Sequence, residues 1–201
     1  MKIMGSVRLI ALLMLSTSAL MACTLMPEAE EVASYRLTPA TITQTSTDVS
    51  ARSIQVKRPL AVDLFAGDRL LRLQDDGSFN AIAGARWNNP IPILWRDWVI
   101  DALWRDPRFQ AISSDSEQLR SDYQLIGTLR SFHVQGQEAE IRFDAQLIQS
   151  TERRVVAEHS FVVRQAVRGR GASAVASSLS EAANRLNQDL REWLLTHAQP
   201  L

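Results

Sequence analysis

Residues 139–149 read AEIRFDAQLIQ, and they carry the cleanest pattern in the chain. Ile141, Phe143, Ala145 and Leu147 fall on one side of an extended backbone, with Arg142, Asp144 and Gln146 on the other. That is the two-residue period of a strand with one buried face. On either side lie two more extended segments, 122–134 and 153–166, joined to it by Gln135-Gly136-Gln137 and Ser150-Thr151-Glu152. Links this short join antiparallel neighbours, because a parallel return needs a long crossover. The three strands are expected to form a meander whose apolar face something must cover.

Two helices are available to cover it. Asn88-Asn89-Pro90 is a helix start, and the pattern predicts a helix over 91–105. Its polar positions, Asp97, Asp101 and Arg105, make one narrow stripe with an i, i+4 pair between Asp101 and Arg105. Arg96 aside, the rest is apolar and includes Trp95, Trp98 and Trp104. So wide an apolar surface exceeds what one sheet face covers. Most of it reads as core, and part is expected to meet a second helix, a neighbouring subunit or a ligand, with the three tryptophans as candidates for contact with a partner or a lipid. The second helix is predicted over 172–196, with Val175, Leu179, Ala182, Leu186, Leu190 and Trp193 on one face and a Glu181–Arg185 pair opposite.

Upstream, Leu60, Val62 and Leu64 line one face of a strand expected within 54–65, and Pro59 marks an edge or a bulge. Segments 69–73 and 79–82 predict a hairpin around Asp75-Asp76-Gly77-Ser78. That turn lacks the further acidic residues of a calcium loop. Phe109 to Ile112 reads as a short strand. Together the elements predict an α+β, two-layer domain, with a mostly antiparallel sheet and two long helices packed on one face.

The N-terminus has a different character. Lys2 and Arg8 precede an apolar block, Leu9 to Leu15, and then small residues up to Ala22, the layout of a secretory signal peptide. The block is short for a membrane span, which needs about 20 residues. Leu20-Met21-Ala22-Cys23 resembles the bacterial lipoprotein cleavage site, and Cys23 is the single cysteine of the chain. The resemblance implies removal of residues 1–22 and acylation of Cys23, which becomes a membrane anchor. Two or more acyl chains hold a protein stably where one does not. Residue 24 is Thr24, not the aspartate of inner-membrane retention, which favours an outer-membrane location facing the periplasm. Residues 23–52 then form a lipidated N-terminus and tether, Thr/Ser-rich over TPATITQTSTDVSAR and interrupted by Tyr35-Arg36-Leu37 as a short edge strand. As a flexible coil the tether would average roughly 30 Å end to end. Residues 53–201 make up the single domain.

Charge and motifs exclude several functions. The full chain of 201 residues carries 22 basic and 22 acidic side chains, and losing Lys2 and Arg8 with the leader makes it 20 against 22. Nucleic-acid binding would call for a clustered basic excess. A domain of this size buries roughly 70% of its unfolded surface and needs no disulfide. Gly169-Arg170-Gly171-Ala172-Ser173-Ala174 fits a dinucleotide fingerprint, but the helix after it runs to the C-terminus and leaves no second strand for a βαβ unit. It reads as a flexible turn that starts a helix, with Arg168 and Arg170 as candidates for attracting a lipid phosphate. His133, His159 and His197 have no ligand-spaced partners, so no metal, no cofactor and no catalytic residue is assigned, and the chain is not expected to be an enzyme.

Cys23, Tyr35-Arg36-Leu37, LAVDLF at 60–65, RLLRL, Ala85-Arg86-Trp87, Ala102-Leu103 and Phe109-Gln110-Ala111-Ile112 together resemble the auxiliary lipoproteins of ABC-type transport systems, the PqiC-like group. The likeness covers roughly residues 34–196. It implies a periplasm-facing lipoprotein that works beside an MCE-domain protein and an ABC permease in moving lipids between the two membranes, and it brings a homo-oligomer into view. Two other readings stay open. One is a solitary module that carries a lipid ligand in an apolar groove beside the tryptophan-rich helix. The other is an envelope-assembly lipoprotein that partners an outer-membrane protein.

Overall fold

The computed structural model describes residues 31–42 and 50–199. The leader, Cys23 and the first part of the tether lie outside the described residues. The meander forms as its alternation predicts. Strands β7 (Tyr123–Gln135), β8 (Glu138–Gln149) and β9 (Arg154–Ala166) are antiparallel neighbours, each ladder broken by one register shift, at Leu129/Ser131 and at Leu147/Ile148. Ile141, Phe143, Ala145 and Leu147 are buried, as the two-residue period requires.

On its other side β7 is met by three short parallel segments in turn: β2 (Ile54–Val56), β3 (Leu60–Ala61) and β4 (Arg69–Leu73). β4 turns into β5 (Phe79–Trp87) through the expected hairpin, in which Gly77 has a φ of 82°. β1 (Ala33–Tyr35) adds in parallel to β5, and β6 (Ile112–Ser114) in parallel to β2. The sheet is thus mixed, with its long ladders antiparallel.

Two helices, α1 (Ile91–Trp104) and α2 (Gly171–His197), lie on one face of it. α1 reaches the sheet through Trp95, whose ring tilts against Phe143 at 5.5 Å and meets Phe132 edge-on at 6.4 Å. α2 buries Val175, Leu179, Ala182, Leu186 and Leu190, and Trp193 packs edge-on against Phe161 of β9. The domain is α+β, two-layered, with both helices on one side.

Four local expectations need correction. Leu60, Val62 and Leu64 do not line a buried face: all three are exposed, Leu60 at 73%. The chain leaves the sheet after Ala61 and turns through a 3-10 helix, Asp63–Phe65, so the alternation stops meaning anything there. The buried residues are Ile54, Gln55 and Val56, which sit between β6 and β7 and are covered on both faces. Gln55 is buried because its amide donates to the carbonyls of Ser114 and Leu119. Second, the strand expected at 109–112 starts only at Ile112, and Phe109 makes a single bridge to Ala51.

Third, Glu181 and Arg185 are not directly paired. The Gln165 side chain stands between them, donating to Glu181 at 2.8 Å and accepting from Arg185 at 3.0 Å. Fourth, part of the expected tether is packed. Leu37, Ala40 and Ala51 are buried. Thr38 N–H donates to the Ser180 hydroxyl and Thr41 N–H to Asn184, so this segment runs along α2. The Trp98 indole donates to the Thr38 carbonyl at 2.7 Å. This segment is what occupies the surplus apolar flank of α1.

A buried ionic cluster ties the end of α1 to α2. The Asp106 carboxylate accepts from Arg108 at 2.7 Å and from Arg191 at 2.6 Å, and Arg108 also reaches Glu192 at 3.0 Å. Burial pushes the Asp106 carboxyl up, but the hydrogen bonds from Arg108 and Arg191 outweigh it and hold the group below the usual carboxylate range.

Candidate functional site

The residues singled out in the sequence do not converge. Trp95 and Trp98 are core, at 2% and 6% exposure, stacked on each other at 5.8 Å. Their burial takes them out of contact with any partner or lipid, because the sheet and the Thr38 segment already occupy their faces. Trp104 is different: it is 62% exposed, with its indole N–H held by the Ile112 carbonyl at 3.0 Å. Arg168 and Arg170 are exposed in the turn before α2, where Gly169 and Gly171 take φ values of 106° and 80°. Arg170 is the N-cap residue and makes no side-chain cap hydrogen bond.

The histidines also lie apart. His133 is buried on the face opposite the helices, stacked on Phe65 at 5.9 Å and meeting Phe79 edge-on at 5.1 Å. This small aromatic cluster, roofed by the 63–65 turn, caps one end of the open face. Burial pushes the His133 imidazole down, opposed by the nearby Glu140 carboxylate. His159 and His197 stand at the two ends of an aromatic row through Phe161 and Trp193, with centroid steps of 4.4, 5.8 and 5.4 Å.

The rest of the open face is polar and ordered. Opposite positions on three neighbouring strands set Thr128, Asp144 and Ser160 in one row and Ile126, Gln146 and Glu158 in the next. Asp144 accepts from Ser160 at 2.6 Å, from Arg130 at 2.9 Å and from Arg142 at 3.1 Å. The Ser160 hydroxyl and then the two guanidiniums hold its carboxyl below the usual range, against the opposing effect of burial. Gln146 donates to Glu158 at 2.6 Å, and Arg164 pairs with Glu140 at 2.8 Å. Beside these rows the segment Lys57–Leu60, which runs along the other edge of β7, bounds a groove of about 620 Å³. Its rim carries Lys57, Arg58 and the exposed Leu60, and its floor Ile126 and Thr128.

Sequence reasoning did not find this groove. Arg142, Asp144 and Gln146 were legible as outward residues, but alternation says only that a face is polar, not that a distant segment borders it. The arrangement offers oriented charge, hydrogen-bonding groups and one apolar edge, which suits recognition of a polar partner surface.

No curated protein matches the chain. The crystal structure of protein XCC0632 from Xanthomonas campestris superposes with a TM-score of 0.75 at 26% identity, over 83% of this chain and 96% of that one. A crystal structure of an uncharacterized protein superposes at 0.66 with 17% identity, over 82% and 99%. A hypothetical protein from Chlamydia trachomatis, CT253, shares the fold at 0.50 with 4% identity, over 74% and 98%. The family model of the ABC-type transport auxiliary lipoprotein component matches residues 35–190, from β1 to the last turns of α2. On that match, which takes in both helices and every strand of the meander, the chain belongs to the family of ABC-type transport auxiliary lipoprotein components.

Proposed function

We propose that this chain is the outer-membrane docking subunit of an MCE-type lipid transport system, held by acylated Cys23, facing the periplasm, self-assembling, and working beside an MCE-domain protein and an ABC permease. Its mechanism is attachment. The anchor holds the membrane, the residues after Cys23 give reach, and the domain supplies a surface on which the transport machinery docks. The chain performs no catalysis in this reading.

The observation that carries it, alongside family membership, is how the surface is divided. Most of the apolar surface of both helices is consumed internally, by the sheet and by the Thr38 segment, with Trp104 at the end of α1 left exposed. The open face of the sheet presents the lattice of paired charges around Asp144 and its groove. Charge-rich surfaces of this kind give a partner orientation and specificity. The solitary-carrier reading needs an apolar groove beside the tryptophan-rich helix, where Trp95 and Trp98 are buried and only Trp104 of the three is exposed.

The test is affinity purification of the full-length protein from native membranes in mild detergent, with mass spectrometry of proteins and lipids. An MCE-domain protein and a permease should co-purify, and charge reversal at Lys57 and Arg58 should release them without unfolding the domain. Recovery of a stoichiometric lipid and no protein partner would replace this reading with the carrier.

A further inference from the structure

β9 is the outermost strand of the meander. Among the described residues it pairs with β8 alone, so one whole edge of a 13-residue strand is left without a ladder partner. Such an edge is a template for another strand, and proteins normally blunt it with proline, charged side chains (lysine above all), a bulge or a covering element. β9 contains no proline and no lysine, and its charges, Arg154, Glu158 and Arg164, are of both signs, so they can meet opposite partners as well as repel. Its one irregularity lies opposite Leu147 and Ile148, near its start, and leaves 157–166 in regular register. Val162, in the middle of that run, is 51% exposed.

The sequence of the edge is complementary to itself. A two-fold axis at Phe161 in an antiparallel pairing sets Glu158 of each copy against Arg164 of the other, and Ser160 against Val162. All four side chains share the open face, since they alternate with Phe161, which is buried against α2. Opposite charges facing across strands stabilise a pair and like charges oppose it. An axis at His159 would instead face Arg154 with Arg164. An axis at Val156 also pairs opposite charges, Arg154 with Glu158, but it falls at the irregularity and joins only 154–158.

We propose that a second copy of this chain pairs with the first along β9, antiparallel about Phe161, to give an isologous dimer with one sheet running through both copies. The interface deepens the self-assembly in the reading above and rests on it. The two-fold places the two grooves on the same face of the joined sheet, so one dimer presents two docking surfaces in fixed relation.

The register gives a sharp test in full-length protein in mild detergent, with the wild type and its single Cys23 as the control. Opposed residues on paired strands stand close enough for a disulfide, and diagonal ones do not. Chains carrying both Ser160→Cys and Val162→Cys should oxidise to a dimer, and Ser160→Cys alone should not. Glu158→Arg and Arg164→Glu should each lose most of that crosslink, and the two together should restore it. A double-cysteine variant that melts like the wild type and stays at monomer size overturns the proposal. So does a crosslink through Ser160→Cys alone, which means another register. If the protein is monomeric before oxidation, self-assembly itself fails. If it is oligomeric yet uncrosslinked, only the β9 seam fails.

Discussion

Gly127 shows how one missing atom fixes a sheet. It pairs with Ala145 in the β7–β8 ladder, and a Cβ there would lie 2.4 Å from Phe143 Cε2 and 2.5 Å from the Asp144 carbonyl. The Phe143 ring has taken that space, which lets it lie against Trp95. Gly127→Ala should therefore cost about 1–3 kcal/mol in denaturant unfolding, the usual cost of overpacking. Adding Phe143→Leu should recover only part, because the carbonyl contact remains. Nothing in the sequence marks Gly127 for this, since glycine inside a strand has several meanings.

His133 makes the second argument at this scale. Its imidazole is buried between Phe65 and Phe79, and burial lowers its pKa from 6.5. The folded state then binds its proton less readily than the unfolded chain, so this residue favours folding at high pH. That advantage declines as pH falls through the unfolded value, about 6.5. His133→Phe should flatten the slope of stability against pH between about 5 and 7, measured as the difference from wild type across a pH series of melts. An unchanged slope would mean that His133 is protonated equally in both states.

Among the elements, legibility follows how local the packing partner is. β7 to β9 and both helices are readable because each alternation or helical stripe is satisfied by a neighbour reached through a short link. The stretch 54–65 is not, because its three residues of apparent alternation, Leu60, Val62 and Leu64, straddle a strand end and a 3-10 turn. Its real constraint is the passage beside β7, a partner some 70 residues away in sequence, as the pairing of Ile54 with Tyr123 shows. The candidate site failed for a similar reason. Tryptophan content marked α1 correctly as unusual, but the partner for its surplus flank is the chain's own Thr38 segment.

That contact separates two contributions. Trp98→Phe keeps most of the ring and removes the hydrogen bond to Thr38, and should cost about 1 kcal/mol with faster exchange of amides in residues 33–42. Trp98→Ala should cost about 3–5 kcal/mol. The Asp106 cluster is the polar counterpart. Asp106→Asn leaves Arg108 and Arg191 buried around a neutral group, and should cost about 3–5 kcal/mol at neutral pH. Because the folded pKa of Asp106 is depressed, the wild-type advantage should be present above the unfolded value and disappear as pH falls through the folded one.

At the scale of the molecule, a docking function asks for a rigid body, a fixed orientation and a membrane attachment that does not strain the body. The Thr38 segment bears on all three. By running along α2 and bonding Trp98, it fixes where the chain leaves the domain on its way toward the N-terminus. In the proposed reading the stretch from Thr24 to Glu31 supplies the reach, shorter than a tether of residues 23–52 would have. As a flexible coil, eight such residues would average roughly 14–17 Å end to end, which would hold the domain close to the membrane surface. Cys23→Ala should abolish acyl labelling and leave an uncleaved or soluble species whose domain melts at the wild-type temperature. Inserting a flexible stretch of ten glycine and serine residues after Thr24 should keep labelling and folding, and weaken recovery of the transport partners if standing height matters. Labelling and membrane fractionation unchanged in Cys23→Ala would end the lipoprotein anchor, and undiminished partner recovery with the longer tether would end the claim on height alone.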